Sequence, residues 1–430
     1  MTIEQLTKKK TEGKVLTKKE IEYFVNGFCK DEISNQQATD FLRAVYNNGM
    51  NIAETTDLTI SMAHSGKIID LSDVGDCIDK HSTGGVSDTT TLVIVPLLAS
   101  LGVKVAKMSG HKLGWTGGTA DKIEVFDGYD NYITTDNFKH NIKQIGASII
   151  TQSDETAIAD KKIYALRDQT GLVDNISLIA SSIMSKKIAC GAKYLILDVK
   201  YGDGAFMKSF RQAKQLAKVM CKIGNKAGIK TCAIISNMNE PLSNYIGNNL
   251  EVYSALEVLN GKENNLSKLC YYLTAAGLKL CEKVDSIEQG IELAKQNIKN
   301  KKALEKLKQI VLAQNGSVEI IEKYDTLLKS NYSVDIKAKK SGYLSKVHCK
   351  ALGDLVHQIA EMENNKQDKN YCGIVLEKEK NDYVKKNDIL ATIHFASDIK
   401  PKKIIESIEN CFEITNKKGK TFELVKEIIF

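Results

Sequence analysis

Proline and tryptophan are scarce in this chain, and long apolar runs are missing. The 430 residues include three prolines, at positions 96, 241 and 401, and one tryptophan, Trp115. No run approaches the roughly 18 consecutive apolar residues of a membrane span, and the opening residues MTIEQLTKKKTEGK lack the apolar stretch of a secretion signal. We therefore expect no membrane partner and no signal peptide.

Closely spaced cysteine pairs are missing as well. The ten cysteines form no CxxC pair, and most lie in apolar stretches, as Cys221 and Cys232 do. This pattern argues against a zinc site and is typical of reduced, buried thiols in a cytoplasmic protein. We expect no bound metal and no organic cofactor.

The chain also has no concentrated charge of one sign. Its formal net charge is +7, from 60 basic and 53 acidic residues, and the lysines are scattered. Nucleic-acid binding would require a basic stripe within a recognisable module, whereas the lysine clusters at 8–10 and 417–420 are short. We expect no nucleic-acid partner, and the excess charge reflects either compositional drift or weak attraction of anionic substrates.

The order of helical and strand-like patterns predicts an α/β fold with three parts. Residues Thr17 and Glu20 form a capping box before an early helix. From about residue 75, short apolar runs alternate with helices, which is typical of a mostly parallel sheet. We predict a small helical domain (1–66 and 156–189), a large mostly parallel α/β domain (67–155 and 190–330) and a C-terminal α+β domain (331–430).

The segment DKHSTGGV, followed by an apolar helical run, is typical of a phosphate-binding loop. Lys80, Ser82 and Thr83 precede two glycines, which allow backbone N–H groups to approach an anion at a helix N-terminus. The same pattern also fits a tight turn between a strand and a helix. A second loop, KMSGHKLGWTGGTADKIE, repeats the combination of lysine, hydroxyls and glycines, and two such loops can meet at the carboxyl edge of one sheet.

A third set of polar side chains lies in the helical segment 156–189. Arg167 follows the residues YAL, and Ser182 and Lys186 are four residues apart, which places them on one helix face. Such donors suit a base carbonyl or a developing anion. The spacing also fits a solvated polar edge of a helix.

These motifs closely resemble the pyrimidine-nucleoside phosphorylase and thymidine phosphorylase family over nearly the whole chain. The matching segments are DKHSTGGV, LGWTGGTADKIE, YALRDQTGLVD, SIMSKKIA and DVKYGDGAFM. The family shares its fold with anthranilate phosphoribosyltransferase. The resemblance implies a homodimer, formed through the helical domain, that binds phosphate and a pyrimidine nucleoside (uridine, thymidine or deoxyuridine) and releases free base and (deoxy)ribose 1-phosphate.

The resemblance also implies roles for individual residues. Phosphate would be held by Lys80, Ser82, Thr91, Lys107, Ser109 and Thr119. The pyrimidine would be held by His81, Arg167, Ser182 and Lys186, in a pocket lined by Leu113, Tyr164, Val173, Ile179 and Phe206. As catalytic residues, His81, Arg167 and Lys186 would stabilise or protonate the departing base, with phosphate as the nucleophile on the opposite face of the sugar.

The chain departs from the family pattern at several positions. The family's SGRGLGHTGGT reads SGHKLGWTGGT here, which introduces His111, Lys112 and Trp115, and Ser87 replaces a glycine of the first loop. Such changes matter where the backbone needs a positive φ. The family's potassium site uses backbone groups near the first loop and an acidic side chain that aligns with Ser254, so we expect no bound potassium. His111 is either a new catalytic group or a loop histidine with local partners.

Two other functions compete with phosphorolysis. Phosphoribosyl transfer from a diphosphate donor would require acidic residues that bind Mg²⁺, and the two loops contain few. A nucleoside-binding regulatory protein would be expected to have lost catalytic side chains, whereas every position named above carries a competent residue. We therefore favour a phosphorylase. Taken together, the loop substitutions indicate a diverged member of the family, and they fit either an altered specificity or a catalytically weakened nucleoside-binding protein.

Overall fold

The structure is a computed structural model that describes residues 1–111, 117–330, 332–363, 371–399, 401–421 and 423–430. It contains a helical N-terminal region, a large and mostly parallel α/β region, and a C-terminal region with antiparallel sheets. This arrangement confirms the predicted fold class. Within the described ranges, no helix is both long enough and apolar enough to span a bilayer.

Four helices open the chain, and each begins at a capping box. They are α1 (Ile3–Thr11), α2 (Lys18–Cys29), α3 (Asn35–Asn48) and α4 (Ile52–Ala63). At the start of α2 the Thr17 hydroxyl accepts the amide of Glu20, and the Glu20 carboxylate accepts the amide of Thr17. This confirms the capping box that the sequence predicted and satisfies amides that the helix leaves without partners.

Two later helices, α8 (Ile158–Thr170) and α9 (Ile176–Ala189), pack against α2, α3 and α4. Ile163 and Leu178 from the later pair share one buried core with Phe24 and Phe41 of the N-terminal helices. Apolar side chains of both segments are therefore buried against each other, which joins parts of the chain that are far apart in sequence.

The central sheet has six strands in the order β13-β5-β4-β1-β2-β3. The parallel strands are β1 (Cys77–Ser82), β2 (Lys104–Ser109), β3 (Ala147–Thr151), β4 (Tyr194–Tyr201) and β5 (Lys230–Asn237). The chain moves outward from β1 to β3 and then returns to place β4 on the other side of β1. The carboxyl ends of β1 and β4 therefore flank a topological switch point, the position at which open α/β sheets bind ligands.

Helices cover both faces of this sheet. They are α5 (Thr90–Ser100), α6 (Thr119–Ile123), α7 (Thr135–Ile145), α10 (Phe210–Lys226), α11 (Asn248–Leu259), α12 (Asn265–Leu280), α13 (Ile287–Lys299), α14 (Lys302–Ala313), α15 (Glu319–Glu322) and a 3-10 helix (Tyr324–Leu328). α5 is apolar all round because it is buried against α12 and α14 as well as the sheet. This burial fixes the position of α5, the helix that follows the segment DKHSTGGV.

The C-terminal region contains two small antiparallel sheets. One has the order β6-β9-β11-β7 and includes β6 (Tyr245–Ile246), β7 (Tyr332–Lys337), β9 (Gly373–Leu376) and β11 (Ile389–Phe395). The other has the order β10-β8-β12 and consists of β8 (Gly342–Val347), β10 (Tyr383–Val384) and β12 (Phe412–Thr415). Helices α16 (Cys349–Met362) and α17 (Lys402–Glu409) contact each other beside them.

The last strand, β13 (Val425–Ile429), lies at the edge of the central sheet, antiparallel to β5. Residues 331–430 are predicted to form the C-terminal domain, and β13, although it falls in this range, pairs with the central sheet. Its apolar side chains pack on two different hydrophobic cores of the large sheet: Ile428 contacts one core and Ile429 contacts the other. A short apolar run alone does not specify which open sheet edge it will pair with.

Candidate active site

Two polar loops meet at the carboxyl edge of the central sheet. The first follows β1 and leads into α5, where Thr91 occupies the first turn. The second follows β2, which ends at Ser109, and leads into α6, which begins at Thr119. Because β1 and β2 are adjacent and parallel, the side chains predicted to hold phosphate lie at one edge. Leu113, predicted to line the base pocket, lies outside the described residues, as do Lys112 and Trp115.

Asp88 organises the first loop. Its carboxylate accepts hydrogen bonds from Ser82 Oγ at 2.5 Å and Thr90 Oγ1 at 2.6 Å, and Lys80 Nζ lies 2.5 Å from Thr90 Oγ1. Burial opposes ionisation of Asp88, but Lys200 and Lys80 outweigh it and hold the pKa of this carboxyl well below its usual range. Lys80 and Ser82 are thereby held in fixed positions before any anion binds.

A second buried charge cluster joins β1, β2 and α9. Lys187 Nζ lies 2.8 Å from Asp79 Oδ2, and both Lys187 and Lys107 donate to the carbonyl of Met108 at 2.7 Å. Lys107 Nζ is 3.8 Å from Asp79 Oδ1. Burial, together with the nearby charge of Lys187, lowers the pKa of Lys107 to about 7. One carboxylate thus serves two ammonium groups, which leaves a local excess of positive charge suited to an anion.

His81 lies between these two clusters on β1. Its Nε2 is buried and has no hydrogen-bond partner among the described residues. Burial first, and then the charges of Lys187, Lys107 and other lysines, lower the pKa of His81 well below its usual value. The imidazole is therefore neutral at neutral pH, and it can donate a hydrogen bond from one nitrogen and accept one at the other.

The helical domain contributes a polar set from α8 and α9. Lys186 Nζ donates to Ser182 Oγ at 3.1 Å, as expected for one helix face, and it is paired with Asp160 on α8. Arg167 is only 2% exposed, and its guanidinium donates to the carbonyls of Leu172, Val173 and Leu178. Three of the five guanidinium N–H groups thus fix the turn between α8 and α9.

The apolar residues predicted for the base pocket differ in exposure. Tyr164 on α8 is exposed, whereas Val173, Ile179 and Phe206 are half-buried. Ile179 and Phe206 pack on the core that α9 shares with β4 and α10. These two residues bring the helical domain and the loop after β4 to the same side of the switch point.

Several charged residues of the site were not singled out by sequence reasoning. They are Asp79, Asp88, Asp160, Lys187, Asp198 and Lys200, and most lie within the motifs quoted above. A signal was available, because charged residues inside apolar strands such as YLILDVK are buried and paired. Their partners come from other elements, however, and a linear pattern does not identify these.

Three family models match the chain. The helical bundle domain of the glycosyl transferase family covers residues 4–66, and the pyrimidine nucleoside phosphorylase C-terminal domain covers 343–415. The glycosyl transferase family a/b domain covers residues 74–304, more than half of the chain. The chain belongs to the glycosyl transferase family.

Relatives in this family align with almost the whole chain. The pyrimidine-nucleoside phosphorylase of Geobacillus stearothermophilus is 44% identical over 398 residues, which is 92% of each protein. The pyrimidine-nucleoside phosphorylase of Staphylococcus epidermidis is 42% identical over 433 aligned positions, which is 100% of each. These matches confirm the family that the motifs indicated.

A solved structure supports the fold of the family's large domain. Anthranilate phosphoribosyltransferase from Thermus thermophilus superposes with a TM-score of 0.60 at 17% identity, covering 72% of this chain and 99% of that one. At this identity the likeness shows a shared fold. It agrees with the helical and α/β parts described above.

Two departures from the family pattern have clear local consequences. His111 Nδ1 lies 2.8 Å from Asp121 Oδ1, and His111 Nε2 lies 2.8 Å from Tyr132 Oη. Asp121 in turn accepts the amide of Gly118. The side chain of His111 therefore has local partners within and beside the second loop. Ser87, where the family pattern has glycine, has a φ of 63°, which lies in the left-handed region that favours glycine.

Proposed function

We propose that this protein is an enzyme that splits pyrimidine nucleosides with phosphate. The products are the free base and (deoxy)ribose 1-phosphate. The observation that carries the proposal is the position of neutral His81, between a cationic, hydroxyl-rich loop edge and the donor set on α8 and α9. The names of the full-length relatives support the substrate class, and the family supports transfer of a pentosyl group.

Phosphate is held on the sheet side of the site. Lys80, Ser82, Thr91, Lys107, Ser109 and Thr119 supply ammonium and hydroxyl groups at the ends of β1 and β2. Bound there, phosphate faces the anomeric carbon of the sugar as nucleophile. Preorganised cations stabilise the dianion without any rearrangement at the moment of reaction.

The base is held on the helical side by His81, Arg167, Ser182 and Lys186. As the glycosidic bond breaks, the sugar becomes positive and the pyrimidine becomes negative. The N–H groups of His81 and Arg167 and the ammonium of Lys186 stabilise this developing charge, which is where fixed donors lower the barrier most. Since His81 is neutral, it acts as a hydrogen-bond donor and not as an imidazolium acid.

Paired carboxylates disfavour phosphoribosyl transfer as an alternative. Asp79, Asp88 and Asp198 lie near the carboxyl ends of β1 and β4, and each already binds lysine or hydroxyl groups. A Mg²⁺–diphosphate donor needs carboxylates available to the metal. This argument supports phosphate itself as the second substrate.

The assembly and location are also part of the proposal. We infer a homodimer formed through the helical domain, in line with the family resemblance, and a cytoplasmic location. All ten cysteines fall within the described ranges, and none is joined to another in a disulfide or exposed. Such thiols are typical of a reducing compartment.

Separate substitutions of His81 and Ser82 test the assignment of the two halves of the site. Lys80 and Ser82 face the Asp88 network, whereas His81, between them on β1, points to the opposite side. We expect His81→Ala to lower base release by roughly 10²–10³ and to leave the phosphate Kd within a few-fold. Ser82→Ala should weaken phosphate binding instead.

The measurements are release of uracil or thymine, followed by absorbance, and calorimetric titration with inorganic phosphate. His81→Gln serves as a matched variant that keeps a donor. If His81→Ala abolished phosphate binding while Ser82→Ala spared it, the division of the site into two halves would be wrong.

A further inference from the structure

Ser87 has a left-handed backbone and two short side-chain hydrogen bonds. Its hydroxyl donates to the carbonyl of Tyr245 at 2.6 Å. The hydroxyl of Ser243 lies 2.6 Å from Ser87 Oγ, within hydrogen-bond distance, and 3.3 Å from the same Tyr245 carbonyl. One buried side chain therefore joins the first loop to a segment 156 residues further along the chain.

The segment that receives these bonds is itself well supported. Tyr245 belongs to β6, which pairs with β9 of the C-terminal region. The carbonyl of Asn244 accepts the amide of Leu376 at 2.7 Å. Ser87 is thus bonded to a strand fixed on its other side, and not to a mobile surface loop.

The next residue after Ser87 is the one that organises the proposed phosphate site. Asp88 accepts from Ser82 and Thr90, and Thr90 accepts from Lys80. Because Ser87 and Asp88 share a peptide unit, holding Ser87 restricts where the Asp88 carboxylate can lie. The hydrogen bonds of Ser87 therefore lie one residue away from the network that binds Ser82 and Lys80.

The potassium site that the family resemblance implies would lie between this loop and α11, since its acidic ligand aligns with Ser254 on that helix. Ser254 is a fully buried, uncharged hydroxyl. Glu251, one turn earlier, is 2.6 Å from Lys122 Nζ, and Asp88 is surrounded by lysines. The Tyr245 carbonyl already accepts from Ser87. A cation there would lack a compensating charge, so these residues do not fit a resident potassium ion.

We propose that Ser87 is a positioning residue whose hydroxyl, in place of a bound monovalent cation, holds the first loop against residues 243–246 and sets the affinity for phosphate. The phosphate part rests on the proposed function. The structural part does not rest on that function: it says that a side chain holds the loop and that potassium is not needed.

Two variants distinguish the effect of the Ser87 hydroxyl from the effect of the backbone strain at this position. Ser87→Ala removes the hydroxyl and keeps a side chain at positive φ, whereas Ser87→Gly removes the hydroxyl and relieves the strain. Ser407→Ala, at an exposed serine of α17 that bonds only its own helix, is the matched control. Two quantities are measured: the phosphate Kd, by calorimetric titration, and the Tm without ligand. Each is measured once in potassium chloride and once in tetramethylammonium chloride.

For the unsubstituted protein we expect the same Tm and a phosphate Kd within about twofold in the two salts, because an ion that bound the folded state would raise Tm. Both Ser87 variants should bind phosphate roughly fivefold to tenfold more weakly in both salts. The glycine variant should melt no lower than the alanine variant, and Ser407→Ala should match the parent.

Two results would overturn the inference. One is a higher Tm or tighter phosphate binding of the parent protein in potassium. The other is normal phosphate affinity in Ser87→Gly. Because Tm and phosphate titration need no nucleoside cleavage, a failure of the proposed reaction is distinguishable from a failure here.

Discussion

At the scale of single residues, lysines outnumber carboxylates in the site. Lys107 and Lys187 share Asp79, whereas Lys80 and Lys200 lie close to Asp88 and Lys200 also pairs with Asp198, so four lysines face three carboxylates. Such an arrangement is unfavourable until an anion binds. An empty site with excess positive charge is therefore a preformed receptor for phosphate.

The ionisation of Lys107 gives a prediction about pH. Its pKa of about 7 means that the ammonium is lost as the pH rises through neutrality. Sulfate stays doubly negative across this range, so its affinity should fall by up to about tenfold per pH unit above neutrality. Calorimetric titration with sulfate from about pH 6 to about pH 9 measures this fall.

Lys107→Arg and Lys107→Met are the matched controls. Arginine stays charged, so its sulfate affinity should not vary with pH, and the methionine variant should bind weakly throughout. Without a bound anion, Lys107 keeps its proton up to about pH 10.5 in the unfolded chain, whereas the folded protein releases this proton near pH 7. This group therefore makes the free energy of unfolding rise with pH between those values. A sulfate affinity of the parent protein that does not vary with pH would contradict the assignment of Lys107.

Sequence patterns found the residue types of the site and not their partners. The spacing of Ser182 and Lys186 predicted one helix face, and their hydrogen bond confirms it. Arg167 is predicted to donate to the base, and three of its five N–H groups bind backbone carbonyls of its own domain, which leaves two for a ligand. A linear pattern does not show which of five donors a fold will use.

At the scale of elements, one helix start joins the C-terminal region to the site. α16 follows His348, whose side chain makes no cap hydrogen bond. The amide of Lys350 donates instead to Asp203 Oδ2 at 3.0 Å, from the loop after β4. A Cβ at Gly204 would lie 2.3 Å from Cys349 Sγ, so this loop and the helix are in close contact. Phe206 of the same loop is proposed to line the base pocket.

Asp203→Ala should loosen this junction. Removing a capping carboxylate costs about 1 kcal/mol of helix stability. Amide hydrogen exchange within 349–362 should therefore become several-fold faster, with α1–α4 unaffected. Asp154→Ala, which breaks only an exposed pair with Lys161, is the control and should change neither region. Unchanged exchange in α16 of Asp203→Ala would show that the cap contributes nothing.

Most elements were predictable because their signals are local. The capping box at Thr17 and the buried runs that became β3, β4 and β5 are examples. The pairing of β13 with β5 was not predictable, because a short alternating run fits any open sheet edge and only tertiary packing selects β5. The strand order, and with it the switch point, follows from long-range pairing that short patterns do not contain.

At the scale of the whole molecule, the site draws on all three parts of the chain. The large sheet supplies the phosphate loops, the helical domain supplies α8 and α9, and β9 of the C-terminal region supports the segment that holds Ser87. Lys187 joins the first two directly through Asp79. Relative movement of the helical and α/β parts would therefore change the distance between the phosphate and base halves.

Phosphorus NMR of a reaction with uridine or thymidine tests the central claim most directly. With inorganic phosphate present, one sugar 1-phosphate should appear for each free base released, and the inorganic phosphate signal should fall by the same amount. Without phosphate, no base should be released. Base release that proceeds equally well without phosphate, or without any sugar 1-phosphate signal, would contradict phosphorolysis and identify the protein as a hydrolase.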